Sequence, residues 1–90
     1  MANNVFLILQ DNEEARPIVE AIEQDNPDVT VDYQPAMIRM ESPGKLVVNR
    51  ATVEELKGCE WDPQELHLVL VSLAGHVDED DDHFTLQWNN

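Results

Sequence analysis

The hydrophobic period changes twice in the first part of the chain. Residues 5–9 form a continuous apolar run, which is typical of a buried strand. A helix is predicted over roughly residues 13–25 by an apolar stripe at helical spacing, which consists of Ala15, Ile18, Val19 and Ile22. Asn26-Pro27 ends this helix, and the alternation over residues 29–34 predicts the next strand, which Pro35 interrupts.

Turn and capping signals organise the middle of the chain. Residues 37–41 and 46–49 flank Ser42-Pro43-Gly44-Lys45, a pattern typical of a type II turn, and we expect these two runs to form a hairpin. A capping box beginning at Thr52 predicts a short second helix with Gly58 as its left-handed C-terminal cap. Asp62 followed by Pro63 predicts one further helical turn.

Two strand patterns follow, separated by acids. Residues 66–73 are apolar on both faces, which predicts a central, covered strand. Phe84, Leu86 and Trp88 alternate with polar residues, which predicts a strand with one buried face. Between them, residues 78–82 are five consecutive acids, which predict a loop held in water.

The order of these elements predicts the fold class. Strand, helix, strand, strand over residues 5–41 is followed by the same order over residues 46–88. We therefore predict an α+β fold in which two β-α-β-β units pack as a small two-sheet domain with two to three short helices. At 90 residues, the chain is expected to form a single domain over residues 1–90.

Charge and cysteine content exclude several classes of function. The net charge of −14 argues against nucleic acid or an anionic membrane surface as a partner, since both are recognised through clustered Lys and Arg. A basic or neutral protein surface is expected instead. The one cysteine, Cys59, excludes an internal disulfide, a zinc site that needs two thiolates and an iron-sulfur cluster. The first residues resemble neither a signal peptide nor a membrane span, which favours a cytoplasmic location.

Candidate chemical groups have plainer interpretations. The acids at residues 78–82 could bind calcium, but an EF-hand count from Asp78 puts His83 where Gly is needed, so a solvated hairpin loop or charge pairing with a partner is favoured. The three histidines are too widely spaced to predict a metal site. Ser72 and His76 lack a nucleophile elbow, so no catalytic residue is predicted.

Sulfur and aromatic side chains leave two interpretations open. Met37 and Met40 lie on either side of Arg39, where they could pack in the core or form a contact surface. Trp61 and Trp88 are expected in the core more often than at an interface.

Two segments carry a resemblance to a known family. They are residues 33–56, with the sequence YQPAMIRMESPGKLVVNRATVEEL, and residues 68–88, with the sequence LVLVSLAGHVDEDDDHFTLQW. Their Met-x-Arg, Pro-Gly-Lys-Leu and Ser-Leu-Ala-Gly-His motifs resemble those of the effector, or coupling, proteins of bacterial multicomponent di-iron monooxygenases. The likeness is greatest to the regulatory component of phenol hydroxylase.

The resemblance implies a regulatory protein that is not itself an enzyme. A member of this family has no cofactor, metal site or catalytic residue, binds the di-iron hydroxylase component, and promotes coupled hydroxylation of aromatic substrates. Competition with the reductase for the hydroxylase is also implied. From the segments that carry the resemblance, the expected partner interface comprises Ala36, Met37, Ile38, Arg39, Ser72, Leu73, Ala74, Gly75 and His76.

Two other classes of function remain open on the residues alone. A generic acidic interaction adaptor without an oxygenase partner would share the charge and the absence of a catalytic set. A small enzyme that uses a carboxylate pair would instead require a pocket lined by titratable groups.

Overall fold

The computed structural model describes residues 4–88, which form two antiparallel β-sheets and three short helices. The elements are β1 (Asn4–Gln10), α1 (Arg16–Asp25), β2 (Thr30–Gln34), β3 (Met37–Pro43), β4 (Lys45–Asn49), α2 (Arg50–Lys57), a 3₁₀ helix (Pro63–Leu68), β5 (Leu70–Ala74), β6 (His76–Glu79) and β7 (His83–Gln87). The predicted α+β class with two packed sheets is confirmed.

The four-stranded sheet includes one strand from the second half of the chain. The four-stranded sheet has the order β2-β3-β1-β5, and the three-stranded sheet has the order β4-β7-β6. The second half of the chain therefore supplies β5 to the sheet that the first half builds. As a result, β1 is paired on both edges.

Side chains from both sheets and both α-helices meet in one apolar cluster. Leu7 and Met40 of the four-stranded sheet and Phe84 and Leu86 of the three-stranded sheet are fully buried in it. The helix α1 packs against α2 and β4. Trp61 is also buried, at 3% exposure, as expected from the sequence.

The hairpin predicted around the Ser-Pro-Gly-Lys turn is wrong. Gly44 has the positive φ of 76° that the turn requires, but β3 pairs with β1 and β2, whereas β4 pairs with β7. Because β3 is already paired on both edges, it has no free edge for β4. The turn instead carries the chain from one sheet to the other, and the buried Ser42 donates its hydroxyl hydrogen to the Lys45 carbonyl oxygen at 2.7 Å.

The central strand predicted over residues 66–73 is also wrong. The helix that starts at Asp62 continues to Leu68, and β5 begins only at Leu70 as an edge strand. A capping box stands at the start of this helix, since Asp62 accepts from the Gln64 backbone N–H at 2.9 Å and Glu65 accepts from the Asp62 backbone N–H at 2.8 Å. Leu66 is buried, whereas Leu68 is 77% exposed, so the apolar residues here do not all face the core.

Three smaller expectations need correction. The acidic loop is shorter than predicted, because β6 includes Asp78 and Glu79. The helix α2 begins at Arg50 with Asn49 as its N-cap, while Thr52 lies buried within it; its C-cap at Gly58 has the predicted left-handed conformation. Trp88 is 43% exposed, because it follows the last strand and its indole N–H donates to the Asn4 carbonyl oxygen at 2.9 Å.

Candidate partner-binding surface

The four-stranded sheet has one buried face and one face turned away from the core. Along β1, Val5, Leu7 and Leu9 are buried while Phe6 and Ile8 are partly exposed, as the alternation of a strand requires. The same alternation in β3 turns Arg39 away from the core. We call the partly exposed side of this sheet the outer face.

Strand register brings residues from distant parts of the sequence together on the outer face. Ile8 lies opposite Arg39 on one side and Ser72 on the other. In the next row, Phe6 lies between Glu41 and Ala74. Since residues opposite one another in antiparallel strands project to the same face, the two segments predicted as an interface are joined through β1.

A cleft of about 250 Å³ lies on the outer face. Its lining combines apolar groups with one cation, one hydroxyl and one amide, and consists of Phe6, Ile8, Gln34, Arg39, Ser72, Leu73 and Ala74. An apolar surface with a few convergent polar groups is suited to binding a partner side chain.

Arg39 is held over this cleft by two neighbours. Its guanidinium carbon lies 4.4 Å from the centroid of the Phe6 ring, which is a cation-π contact. Its Nη2 donates to Oε1 of Glu41 at 3.4 Å, and Glu41 also accepts from Nδ2 of Asn4. The side chains of Arg39 and Glu41 are 40% and 33% exposed, so their ion pair is open to solvent.

The first predicted interface segment is divided between surface and core. Ala36 is exposed at the turn between β2 and β3, where its φ of +66° is unusual for a residue with a side chain. Met37 is partly exposed on the same side as Arg39, whereas Met40 is fully buried. Ile38 is 1% exposed, so its side chain belongs to the core and cannot reach a partner.

The second segment, residues 72–76, also divides. Ser72 and Ala74 lie on the outer face, whereas Leu73 packs against the core. Gly75 has a φ of +139° and lies close to Val5, since a Cβ atom there would be 3.0 Å from Val5 Cγ1. His76 is exposed and already belongs to the three-stranded sheet.

Sequence reasoning missed three residues of the cleft, namely Phe6, Ile8 and Gln34. The continuous apolar run of β1 was interpreted as buried, although Phe6 and Ile8 alternate with the fully buried Val5, Leu7 and Leu9. Counting the faces of β1 separately would have revealed an apolar outer face.

Hydrogen bonds organise the acidic segment as a turn. The Asp80 carboxylate accepts from the backbone N–H groups of Asp82 at 2.8 Å and His83 at 2.7 Å, and these bonds lower the pKa of Asp80. Glu79 lies 3.0 Å from Nε2 of His67, which links β6 to the 3₁₀ helix. Within residues 4–88, no group of three or more His, Cys, Asp or Glu side chains is arranged to hold a metal ion.

A second charged cluster connects α2 to the segment around Trp61 and to the acidic turn. The Trp61 backbone N–H donates to Glu54 at 2.9 Å, and this bond, together with Arg50, lowers the pKa of Glu54. Arg50 also donates to the Asp81 carbonyl oxygen at 3.2 Å, so α2 is tied to the acidic turn. These polar groups therefore have structural partners within the chain.

Two further properties concern the cysteine and the length of the helices. Cys59 is exposed as a free thiol. None of the helices between residues 4 and 88 is long and apolar enough to cross a membrane.

Comparison with known proteins identifies several close relatives. A family model described as the MmoB/DmpM family matches residues 3–87. The stimulatory component DmpM of phenol 2-monooxygenase from Pseudomonas sp. (strain CF600) is 49% identical over 90 residues, which are 100% of both chains.

Several solved structures are also similar to this chain. A chain in a structure of a phenol hydroxylase-regulatory protein complex is 50% identical, with a TM-score of 0.92 over 97% of this chain and 100% of that chain. A second structure of such a complex gives 49% identity and a TM-score of 0.88 over 96% and 100% of the two chains. The soluble methane monooxygenase regulatory protein B is 21% identical, with a TM-score of 0.76 over 99% of this chain and 67% of that chain, and this likeness shows a shared fold alone.

Proposed function

Because the chain belongs to the MmoB/DmpM family, we propose that it is the regulatory component of a multicomponent phenol or aromatic monooxygenase. In this role it binds the di-iron hydroxylase component and promotes coupled hydroxylation, without a cofactor or a reaction of its own. The observation that carries the proposal is the 49% identity over the full length to a stimulatory component of phenol 2-monooxygenase. The resemblance drawn from the sequence motifs is confirmed.

The outer face of the four-stranded sheet is the proposed docking surface. It supplies Arg39, Ser72 and Ala74 around one cleft, with Met37 at its side. Ile38 supports this surface from the core side, whereas Leu73 packs against the core and also lines the cleft. Gly75 and His76 form the border of this surface, where the chain passes from β5 to β6 of the three-stranded sheet.

Regulation by binding alone has a thermodynamic requirement. A bound protein shifts the hydroxylase between conformations only by as much as its affinity for those conformations differs. The proposal therefore requires tighter binding to the conformation that reacts productively. Competition with the reductase for the hydroxylase surface and a cytoplasmic location complete the proposal.

A reconstituted reaction tests the function. The isolated protein is expected to form no product from phenol, whereas adding it to the hydroxylase and its reductase should raise the rate of product formation to a plateau. Binding to the hydroxylase with no change in rate would contradict the proposal and favour the generic adaptor. Product formation by the isolated protein would favour the enzyme interpretation.

A bulky substitution tests the docking surface. Ala74→Trp places a large side chain beside the cleft, and we expect it to raise the concentration needed for half-maximal stimulation at least tenfold. Leu56→Trp is the matched control, because Leu56 is 39% exposed on α2, outside the four-stranded sheet. Circular dichroism should first show that both variants are folded. Equal stimulation by both variants would place the docking surface elsewhere.

A further inference from the structure

Arg39 is the only base on the four-stranded sheet among the described residues. The other bases lie on α1, β4 and α2 and are Arg16, Lys45, Arg50 and Lys57. The chain carries nineteen acids against five bases, so its field opposes the approach of most anionic groups. Arg39 is thus a local exception, placed at the cleft of the proposed docking surface.

The Phe6 ring orients this cation before any partner arrives. A guanidinium stacked on an aromatic ring keeps its N–H groups directed outward in the plane of the group, where they can meet a carboxylate through two parallel hydrogen bonds. Phe6 itself is partly buried in β1, between strands on both edges, so the ring is anchored by the sheet. Phe6 therefore fixes the position of the Arg39 guanidinium in the free protein.

Glu41 is the anion that occupies Arg39 in the free protein. Their closest N···O distance of 3.4 Å is long for a charge-assisted hydrogen bond, and both side chains are partly exposed. Exposed ion pairs of this kind contribute little free energy. An incoming carboxylate with better geometry can consequently replace Glu41 at small cost.

From these observations we propose that the Phe6-Arg39 pair is a receptor for an Asp or Glu side chain of the hydroxylase. The partner's carboxylate enters the cleft, pairs with Arg39 in place of Glu41, and lays its aliphatic part against Ile8 and Ala74. The exposed Ser72 lies directly opposite Ile8 on β5, where its hydroxyl is placed to donate a further hydrogen bond. This inference rests on the proposed function and names the chemistry that its docking surface recognises.

Substitutions that separate charge from geometry test the receptor. In titrations of hydroxylase stimulation, Arg39→Ala should weaken apparent binding about thirtyfold or more. Arg39→Lys keeps the charge but loses the planar fork, and should weaken binding about tenfold. Phe6→Leu removes the cation-π contact and should weaken binding about two- to fivefold.

Glu41→Gln is expected to have the opposite effect on binding, which would not arise if Arg39 had only a structural role. It removes the competing anion but keeps an acceptor for Asn4, so binding should tighten by up to about fivefold. Arg16→Ala is the matched control, since it removes the same charge from α1, where Arg16 is 70% exposed beside Asp11. It should leave binding unchanged.

The outcomes separate this inference from the function on which it rests. If the wild-type protein fails to stimulate the hydroxylase, the proposed function fails. If the wild-type protein stimulates but folded Arg39→Ala behaves like wild type, or if Arg16→Ala weakens binding as much as Arg39→Ala, the carboxylate receptor is wrong while the function stands. Wild-type binding by Arg39→Lys would contradict the two-bond geometry and overturn the receptor as stated.

Discussion

Asn26 provides a stringent test of how this fold is held together. It lies just after α1, is 8% exposed, and reaches the free edge of β4. Its Nδ2 donates to the Ile22 and Val47 carbonyl oxygens at 2.8 Å each, and its Oδ1 accepts from the Val47 backbone N–H at 2.9 Å. The Asn26→Ala substitution removes all three bonds and uncouples α1 from β4.

The expected loss of stability follows from these contacts. At about 1 kcal/mol for each hydrogen bond, Asn26→Ala should lower the free energy of unfolding by about 3 kcal/mol. A chain of this length has a total of about 5 to 13 kcal/mol. The corresponding fall in Tm is about 12 to 24 °C. Val47 is only partly buried, so water can compensate part of this loss.

Urea unfolding followed by far-UV circular dichroism measures the effect. Asn49→Ala is the control, because Asn49 accepts one hydrogen bond from the Ala51 N–H, at 3.1 Å and exposed to solvent, as an N-cap. That substitution should cost about 1 kcal/mol. Asn26→Asp keeps the acceptor but loses both donors, and should be at least as destabilising as Asn26→Ala. If Asn26→Ala costs no more than Asn49→Ala at equal urea dependence, the reasoning is refuted.

Three further predictions concern backbone geometry and pH. Gly75→Ala should lower the free energy of unfolding by about 1 to 3 kcal/mol in urea titration, because the new Cβ would lie 3.0 Å from Val5 Cγ1 at a φ of +139°; unchanged stability would contradict this. Ala36→Gly should instead raise it by about 0.5 to 1 kcal/mol, since the φ of +66° costs Ala more than Gly; a loss would contradict the strain. The pKa of Asp80 is lowered by backbone donors, so the stability it contributes is fully present above about pH 4 and lost as pH falls through the folded pKa. NMR of the Asp80 side-chain carboxyl carbon should therefore show a titration midpoint below the ordinary Asp value of about 3.9, and a midpoint at or above that value would contradict the assignment.

Local signals in the sequence predicted the parts of the fold that depend on neighbouring residues. The stripe from Ala15 to Ile22 predicted α1, the glycine at position 58 predicted a left-handed cap, and Asp62 followed by Pro63 predicted a helix start, all of which the structure contains. Each depends on residues within one or two helical turns. Such signals are largely independent of the rest of the fold.

Strand pairing could not be predicted in the same way. The Pro43-Gly44 turn has the expected conformation at Gly44, but which strand follows it depends on whether β3 has a free edge, and β1 and β2 already occupy both edges. Residues 66–73 were assigned to a single strand because alternation alone does not show where a capped helix ends. In the structure the 3₁₀ helix that follows the Asp62 cap runs to Leu68.

The candidate surface could be predicted only in part, because it also depends on strand pairing. The family resemblance pointed to Arg39 and to Ser72 through Ala74, and the register brings them together across β1. The strand that joins them supplies Phe6 and Ile8, which carry no motif. Their role depends on which face of β1 turns away from the core, and that follows only from the assembled sheets.

The amount of product formed per NADH consumed tests the regulatory function most directly. It should be measured with hydroxylase, reductase and phenol held constant while this protein is added. We expect the ratio to rise toward one at the same protein concentrations that stimulate the rate. An unchanged ratio and an unchanged rate over the full titration, with protein shown to be folded, would contradict it.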